Sequence, residues 1–496
     1  MKKASPLILI AVVVLACIPL LRPGFFVSDD GGWMIIRLSA FYQSFREGQF
    51  PVRFLGRLNF GYGYPVANFL YPGFMYIGSL IHAAGASFVD TVKIILGGSV
   101  AVGTAFTYLW LRKYFKTPAS VVGTIGFTLA PYLLFDIYWR GSVGEALAVS
   151  WAAMGLYSIA AKKKWLFGLA LPLLILAHNS LALLFVGIFV LYITLRGLWR
   201  EFGMMFFVGI GMAAFFWMPA VYERKYVVFD SIIVANPKEY FITFVLAPLL
   251  GFSGIIAGLF SLSLHKKIKE KKFFLFILGI ITFLVFPVSG FFWQIPLLVR
   301  LIQFPYRLLS VAIFAGAWLA AYVVEFAPKR AGVICAFVFV GLSAWGAIGA
   351  LQSVDYIHYP EGYYTTNEAT TTVLDEYMPK WVSVKPSAHA PSRLQFYQGR
   401  GTILEKRTNT QMIDVVVDAA EESIIQLNTV YYPGWGATLD DVQVRLVYDN
   451  PQGVMRIEVP AGRHHLVVAF RETISRFLAD SLSLICFILY IVLLFL

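Results

Sequence analysis

The sequence predicts a polytopic α-helical membrane protein with about twelve spans and a small β-rich domain just before its last helix. Of its 496 residues, 59% are hydrophobic and only 14% are charged. Long apolar runs alternate with short basic loops, whereas residues 352–473 have short alternating segments instead. This composition is typical of integral membrane proteins. We therefore divide the chain into a transmembrane part at 1–351, a β-rich domain at 352–473 and a C-terminal helix at 474–496.

The first apolar run, residues 6–22, follows a Lys-Lys start and is predicted to be an uncleaved membrane anchor. The loop after it, residues 23–90, is too polar to span a membrane in its first half. Two adjacent carboxylates, Asp29 and Asp30, stand near its start. Apolar side chains follow them at helical spacing, namely Trp33, Ile36, Ala40, Phe41 and Phe45, while Arg37, Ser44 and Glu47 lie off that stripe. The pattern predicts a helix that lies flat at the membrane surface with its apolar face toward lipid.

Eleven further apolar segments of roughly spanning length follow the anchor, at 91–111, 118–135, 143–161, 166–178, 180–195, 202–219, 246–264, 273–288, 306–326, 331–351 and 475–495. A stretch at 66–84 is ambiguous. If it does not cross, every strongly basic loop falls on the side of the N-terminus, as the positive-inside rule requires. We therefore predict twelve spans, cytoplasmic termini, and a first loop and β-rich domain on the extracytoplasmic side. Residues 66–84 are then a re-entrant or surface segment.

The net charge of +12 does not indicate nucleic-acid binding. The β-rich domain holds 10 basic and 15 acidic residues, so the positive excess lies in the transmembrane part, largely in short loops that set orientation.

All three cysteines, Cys17, Cys335 and Cys486, lie in apolar runs, which excludes a disulfide framework or a cysteine metal cluster.

Residues 352–473 predict a small antiparallel sandwich on the extracytoplasmic surface. Segments such as IDVVVDA, SIIQLNTV and HHLVVAF alternate and are rich in β-branched residues, with Pro-Gly, Asp-Asn-Pro-Gln-Gly and Pro-Ala-Gly turns between them. Such a domain either binds glycans or covers the outer face. No catalytic constellation is visible in it, and His464 and His465 are interpreted as structural.

Several polar residues fall on the predicted extracytoplasmic side at the ends of spans. Arg140 and Glu145 bracket the start of one span, where they either pair with each other or line a site. Pro305 interrupts an apolar stretch, and a broken backbone at membrane depth is tolerated mainly beside a cavity. The residues around it are therefore binding candidates, namely Arg300, Gln303, Tyr306 and Arg307.

Other residues on this side allow structural interpretations as well. Arg53 and Arg57 are four residues apart and either reach lipid headgroups or contact substrate. The His178-Asn179 turn is interpreted as a hydrogen-bonded turn. A charge cluster caps another span and offers cations for a phosphate, with members Glu223, Arg224 and Lys225.

An ordered series of motifs resembles one superfamily. The stretches are SDDGGW, EGQFPVRF, GYGYP, FLYP, LAPYLLFDIYWRGSVGEALA, LAHNSLALLF, FFWMPAVYERKYV, IQFPYRLLS, YYPGWGATLDD, VPAGRHHLVVAF and RETISRFLADSLSL. They resemble the GT-C superfamily of membrane glycosyltransferases, and within it the bacterial 6-pyruvoyl-tetrahydropterin-synthase-related integral membrane proteins. Such relatives often carry a histidine shortly after the aspartate, where this chain has Trp33 and Met34, which argues against a histidine-assisted base or metal here.

The resemblance implies an inverting transfer of a sugar from a polyprenyl-phosphate carrier to an acceptor hydroxyl at the outer leaflet. A carboxylate would remove the acceptor proton, and cations would stabilise the leaving phosphate. Asp30 is placed ahead of Asp29 as the base, with Asp29 orienting it or binding a metal; a solvated helix N-cap is the structural alternative for both. The predicted substrate-binding residues are Arg57, Arg140, Glu145, Lys225, Arg300, Gln303, Tyr306 and Arg307.

No cofactor is assigned, and a divalent metal stays open. The acceptor is a glycan, a lipid or a protein.

Two other functions suit the same sequence. A transporter or lipid flippase would have inverted repeats with paired broken helices, and no convincing internal repeat is visible. A non-catalytic scaffold would bind glycans or partner proteins through its exterior domain.

Overall fold

The computed structural model describes residues 4–232, 236–352 and 354–495, and shows a helical body, a β-domain and a C-terminal helix. The first half of the body comprises α1 (Ser5–Cys17), α2 (Gly31–Arg46), α3 (Gly73–Ala83), α4 (Phe88–Leu111), α5 (Thr117–Thr128), α6 (Pro131–Tyr138), α7 (Val143–Ala160), α8 (Lys164–Ala177) and α9 (Asn179–Arg196). The second half comprises α10 (Trp199–Met212), α11 (Ala214–Glu223), α12 (Phe252–Leu262), α13 (Lys269–Leu284), α14 (Pro296–Ile302), α15 (Leu309–Phe326) and α16 (Lys329–Gln352). After these come α17 (Glu361–Thr366), the strands of the β-domain and α18 (Ile474–Leu494).

The protein is a multi-pass membrane protein. Within the described ranges, seven helical segments are long and apolar enough to cross a membrane, and the bent pair α10–α11 makes an eighth. All eight coincide with predicted spans. The other four predicted spans are helical too, but α1, α8, α12 and α13 have only 13, 14, 11 and 16 residues. These lengths are short of the roughly 20 residues that a straight span needs. In the ambiguous stretch at 66–84, α3 has 11 residues, about half a span.

The bend between α10 and α11 has an identifiable cause. The two helices meet at 63°, and Pro219 lies inside α11. A proline has no N–H and so leaves the carbonyl four residues earlier without its helical partner. That carbonyl belongs to Phe215, and the Arg53 guanidinium donates to it at 2.6 Å. Arg53 is thus a buried partner for broken helix backbone, not a side chain that reaches lipid headgroups.

The predicted surface position of α2 is wrong on both faces. Arg37 and Ser44 were expected to face water, yet the structure buries both. Of the apolar stripe that was expected to face lipid, Ile36, Ala40 and Phe41 are buried within the protein, and only Trp33 is exposed, at 41%. The polar face is covered by residues 354–393, here called the linker, which lead from α16 into the β-domain. Arg37 donates to the Thr371 carbonyl at 2.5 Å, and Ser39 donates to the carbonyl of Tyr364. Backbone carbonyls of the linker therefore satisfy side chains that would otherwise need water.

The β-domain is an antiparallel two-sheet structure, as predicted. Two short strands, β1 (Phe25–Phe26) and β2 (Tyr356–Ile357), pair the first loop with the linker. The domain itself consists of β3 (Leu394–Gln398), β4 (Gly401–Asn409), β5 (Met412–Ala419), β6 (Ser423–Val430), β7 (Trp435–Leu439), β8 (Val442–Val444), β9 (Val454–Val459) and β10 (Gly462–Phe470). Its sheets have the strand orders β4-β5-β10-β7-β8 and β3-β6-β9. Alternate residues such as Val415, Val417, Leu466 and Val468 are buried, because successive side chains on a strand point to opposite faces.

A buried ion pair fastens α18 to the rest of the molecule. Arg476 donates from Nε and Nη2 to the two carboxylate oxygens of Glu223, each at 2.8 Å, and neither side chain is more than 1% exposed. Asn68 of the first loop and Tyr432 of the β-domain donate to the same carboxylate, also at 2.8 Å. Glu223 therefore connects the first loop, α11, the β-domain and α18.

Candidate functional site

One cavity of about 540 Å³ lies where the helical body meets the linker. Its wall is formed by the start of α2, the first loop near Tyr71, the start of α9, the bent pair α10–α11, residues 300–307 and the linker. The lining contains five arginines and two carboxylates, namely Arg37, Arg140, Arg224, Arg300 and Arg307 with Asp30 and Glu376. Arg224 pairs with Asp230, and Arg140 and Arg307 pair with Glu145 behind the wall. An anionic group would therefore bind through guanidinium donors that the protein leaves unused, and not through an excess of positive charge.

The two aspartates of the first loop differ in position. The backbone N–H groups of Asp29 and Asp30 donate to the carbonyls of Trp139 and Arg140 at 3.0 and 2.9 Å, which ties the loop to the segment between α6 and α7. Asp30 lines the cavity at the start of α2, whereas Asp29 is exposed and lies outside the lining. The Asp30 side chain makes no capping hydrogen bond. Asp30 therefore occupies the N-cap position of α2 without using its side chain as a cap.

Glu145 lies outside the cavity lining and accepts hydrogen bonds from two arginines of the cavity wall. It is fully buried and accepts from Arg140 at 2.5 Å and from Arg307 at 2.9 Å. Tyr132 donates to its other oxygen at 3.1 Å. A second buried carboxylate, Asp136, accepts from Arg140 at 2.7 Å. Two buried carboxylates thus balance two buried guanidinium groups, which offsets part of the cost of holding four charges away from water.

Arg140 keeps free donors toward the cavity. Only its Nη1 is used by Asp136 and Glu145, and within the described chain its Nε and Nη2 donate to no protein acceptor. Its guanidinium lies over the rings of Phe304 and Tyr306, at 5.2 and 5.7 Å from their centroids. The guanidinium plane is therefore held in place while one edge stays available to a ligand.

The backbone beside Arg307 is unusual. Gln303 has a φ of +66°. Residues other than glycine rarely adopt this backbone conformation, which costs of the order of 1 kcal/mol. Its Oε1 accepts from Arg307 at 3.0 Å, and Arg307 also donates to the Ile302 carbonyl at 2.6 Å. The interruption around Pro305 therefore places Arg307 and Gln303 together at the cavity wall.

The predicted site residues separate into three groups. Asp30, Arg140, Arg300, Gln303 and Arg307 line the cavity. Glu145 and Tyr306 are buried and support those arginines without lining it. Asp29, Arg57 and Lys225 lie outside the lining.

Arg57 and Lys225 have partners outside the cavity lining. Arg57 donates to the Ser39 hydroxyl at 2.5 Å and to the Tyr364 carbonyl at 3.2 Å, which fastens the linker to α2. Lys225 is exposed, and its Nζ lies 3.8 Å from the centroid of the Tyr222 ring. Neither side chain is directed into the cavity because each is held by its neighbours.

The linker supplies residues that sequence reasoning missed. Thr371, Thr372, Val373, Glu376 and Tyr377 line the cavity, although the 352–473 region was expected to hold no catalytic constellation. The adjacent acids Asp375 and Glu376, in the stretch TTTVLDEYMPK, repeat the paired-acid pattern of the first loop. That repetition was the available signal. Only the fold brings the two acidic stretches to the same cavity.

Replacing Glu376 by Gln is expected to stabilise the fold at neutral pH. Burial raises the pKa of the Glu376 carboxyl above its ordinary 4.5, and the backbone N–H groups of Glu376 and Leu374 and the charge of Arg37 lower that pKa by less. A raised folded-state pKa means that the ionised form costs stability above that pKa and costs nothing below the unfolded value. The gain in melting temperature should therefore be largest near pH 7 and shrink as the pH falls toward 4.5. A gain that is constant across this range would contradict the prediction.

Solved structures identify the architecture. The mycobacterial arabinofuranosyltransferase AftD aligns with a TM-score of 0.52 and 15% identity over 73% of this chain and 28% of AftD. The chain has the GT-C fold. ArnT from Cupriavidus metallidurans, solved with undecaprenyl phosphate, has a TM-score of 0.43 at 14% identity over 73% of this chain and 68% of ArnT. The Archaeoglobus fulgidus oligosaccharyltransferase has a TM-score of 0.37 at 13% identity over 71% of this chain and 53% of the enzyme.

The GT-C fold is thus established by structure, not by sequence similarity. This chain spans little more than a quarter of the length of AftD. No protein-family model and no curated protein matches the chain. The narrower resemblance to 6-pyruvoyl-tetrahydropterin-synthase-related proteins stays a prediction.

Among the residues described, no group of three or more His, Cys, Asp and Glu side chains could hold a metal ion, and no metal is assigned.

Proposed function

We propose that this protein is a glycosyltransferase that moves a sugar from a polyprenyl-phosphate donor to an acceptor hydroxyl in the cavity. The proposal rests on one observation. A carboxylate, Asp30, lines the same cavity as the buried arginines Arg140 and Arg307 and the exposed Arg300. Sugar transfer from a lipid phosphate needs both a base for the acceptor and cations for the leaving phosphate.

The donor phosphate is assigned to the arginine side of the cavity. Arg140 offers two nitrogen donors that no described protein group uses, and a guanidinium edge matches two phosphate oxygens. Asp136 and Glu145 keep that guanidinium in place before substrate binds. Because the donors need no reorganisation, they stabilise the negative charge that develops as the sugar leaves. Arg300 stands at the more exposed end of the lining and meets the phosphate as it enters.

The isoprenoid chain of the donor is assigned to the apolar wall. Leu183 of α9 and Val221 of α11 line the cavity while 56% and 69% exposed, and Leu301 of α14 is 36% exposed. We propose that these exposed apolar side chains face the hydrocarbon region of the membrane, so that the wall opens toward lipid. A polyprenyl chain can enter there with its phosphate directed to the arginines.

Asp30 is proposed as the base. It would accept the proton of an acceptor hydroxyl while that oxygen attacks the anomeric carbon, and the lipid phosphate would leave from the opposite face. A single displacement of this kind inverts the anomeric configuration. Asp29, which is exposed, would only influence Asp30 through its charge. We further propose that the cavity and the β-domain face the extracytoplasmic side, because the strongly basic loops lie at the other end of the helices.

Replacing Arg300 by Ala is expected to weaken the binding of undecaprenyl phosphate about tenfold, or roughly 1.4 kcal/mol. The side chain removed is a cation of the cavity lining, and its only described hydrogen bond is a long one of 3.4 Å to the Asp230 carbonyl, so folding should not change. Binding to the full chain in lipid nanodiscs measures the effect.

Lys225→Ala provides the matched control. It removes one exposed cation close in sequence to the cavity residue Arg224, and should leave undecaprenyl phosphate binding within twofold of the unmodified chain. Equal losses in both variants would mean that the lipid phosphate responds to overall charge and not to the cavity. No binding by the unmodified chain would overturn the donor assignment.

A further inference from the structure

The linker places a second carboxylate in the cavity, on a segment that is fastened at several points. Tyr64 and the Thr372 hydroxyl are hydrogen-bonded at 2.9 Å, and the backbone N–H of Tyr377 donates to the Tyr64 hydroxyl at 3.0 Å. The Tyr377 ring stacks against Phe69 at 5.2 Å and against Phe229 at 5.6 Å. These contacts join the linker to the first loop and to the segment after α11.

The backbone of this segment is held in an unfavourable conformation. Thr371 has a φ of +64° and Asp375 a φ of +52°. For a β-branched residue such as threonine a positive φ is a genuine outlier, and it persists only where the surroundings enforce it. Arg37 supplies the restraint at Thr371 by donating to its carbonyl at 2.5 Å and to its hydroxyl at 3.2 Å. The shape that brings Glu376 into the cavity is therefore maintained against a local cost.

Glu376 receives few hydrogen-bond donors from the protein. It is 9% exposed and lines the cavity. Two backbone N–H groups donate to its carboxylate, that of Leu374 at 3.3 Å and its own, and no described side chain donates to it. An ionised carboxylate has about four acceptor positions. A ligand that donates hydrogen bonds to Glu376 would use the positions that the protein leaves open.

The charges around Glu376 select the kind of ligand. Arg37 lines the cavity and its charge acts on the Glu376 carboxyl, so an ammonium group bound to Glu376 would be repelled by a cation already in place. A neutral hydroxyl avoids this repulsion, since it donates to a carboxylate and accepts from a guanidinium. Aromatic side chains also belong to the lining, namely Phe69, Phe229 and Tyr377, which stack on one another and present an apolar part of the wall. Several hydroxyl groups on a compact ring with apolar C–H faces are the features of a carbohydrate.

We infer that Glu376, with Thr372 beside it, forms a subsite for the acceptor, and that this acceptor is a carbohydrate whose hydroxyl groups donate to the Glu376 carboxylate. The inference rests on the proposed glycosyltransferase function and adds the acceptor class. Glu376 is a positioning residue in this scheme. It holds the acceptor ring while Asp30 removes the proton of the attacking hydroxyl.

The test uses the full chain in lipid nanodiscs and a panel of methyl glycosides, measured by saturation-transfer NMR. The unmodified chain should bind at least one glycoside, and Glu376→Gln should weaken that binding about tenfold. Glu376→Asp, which keeps the charge on a shorter side chain, should recover part of it. The same Glu376→Gln preparation should bind undecaprenyl phosphate within twofold of the unmodified chain, because the phosphate is assigned to the arginine side.

Leu374→Ala is the matched control, since Leu374 lies in the same segment, is 41% exposed and is outside the cavity lining. It should bind the glycoside as the unmodified chain does. Unchanged glycoside binding in Glu376→Gln, or an equal loss in Leu374→Ala, would overturn the inference. So would an unmodified chain that binds none of the glycosides but binds a serine-containing peptide or phosphatidylethanolamine. If undecaprenyl phosphate binds normally in these cases, only the acceptor subsite fails and the proposed function stands.

Discussion

Replacing Asp30 by Asn is expected to reduce sugar transfer by about a hundredfold or more, because a positioned general base contributes roughly 10²- to 10⁴-fold to such reactions. Asparagine has nearly the same shape but does not accept the proton of the acceptor hydroxyl. The Asp30 side chain makes no capping hydrogen bond, so α2 should still begin at Gly31 and the fold should not weaken. Transfer of labelled sugar from undecaprenyl-phosphate donors in native membranes provides the measurement.

Asp29→Asn is the natural control for this variant. Asp29 is the chain neighbour of Asp30, carries the same charge and is exposed outside the cavity lining. Its replacement should change transfer only a few-fold, and neither variant should lose undecaprenyl phosphate binding. If both aspartates can be replaced without loss of transfer, the base lies elsewhere. If Asp29→Asn has the larger effect, the cavity is not where the hydroxyl is activated.

Replacing Glu223 by Ala is expected to lower stability by about 3–5 kcal/mol, the usual cost of breaking a buried ion pair. Arg476 is fully buried and would lose both of its charged acceptors. Asn68 and Tyr432 would each lose an acceptor at the same position. Thermal unfolding of the purified chain should show a large fall in melting temperature, with α18 and the β-domain detaching together.

Two further variants separate the ion pair from general damage at this site. Lys225→Ala, two residues along the chain and exposed, should leave the melting temperature unchanged. The double variant Glu223→Met with Arg476→Met removes both charges at once and should recover part of the loss, because no guanidinium is left buried alone. A Glu223→Ala variant that melts like the unmodified chain would show that Glu223 does not fasten α18.

Much of the membrane architecture could be predicted from local sequence. Apolar runs located the long helices of the body and α18, and alternation located strands such as β5, β6 and β10, whereas α17 lies in a stretch that was predicted to be β-rich. Both patterns are visible because burial in lipid or in a sheet imposes its own period on the chain. The motifs around Asp30, Arg140 and Arg307 also pointed to residues that meet in one cavity. Helix length was less predictable, since short helices such as α12, with 11 residues, are completed by irregular backbone at their ends.

The assignment of individual polar residues depended on tertiary contacts. Arg53, Arg57 and Lys225 all looked like surface cations, yet Arg53 serves the carbonyl that Pro219 leaves free and Arg57 holds the linker. A long side chain takes its role from the acceptors within its reach, and those acceptors lie hundreds of residues away in the chain. The burial of Arg37 beneath Thr371 could not be foreseen for the same reason.

By itself, the sequence determined that this chain enters the membrane many times, carries a β-domain near its end, and presents acids and arginines at one end of its helices. These properties follow from the hydrophobicity and period of contiguous residues. The tertiary structure alone decided which of two adjacent aspartates meets the arginines, and that Glu376 of the linker joins them. The electrostatic and hydrogen-bonding environment of a charge is set by neighbours in space, and the fold, not the local pattern, brings those neighbours together.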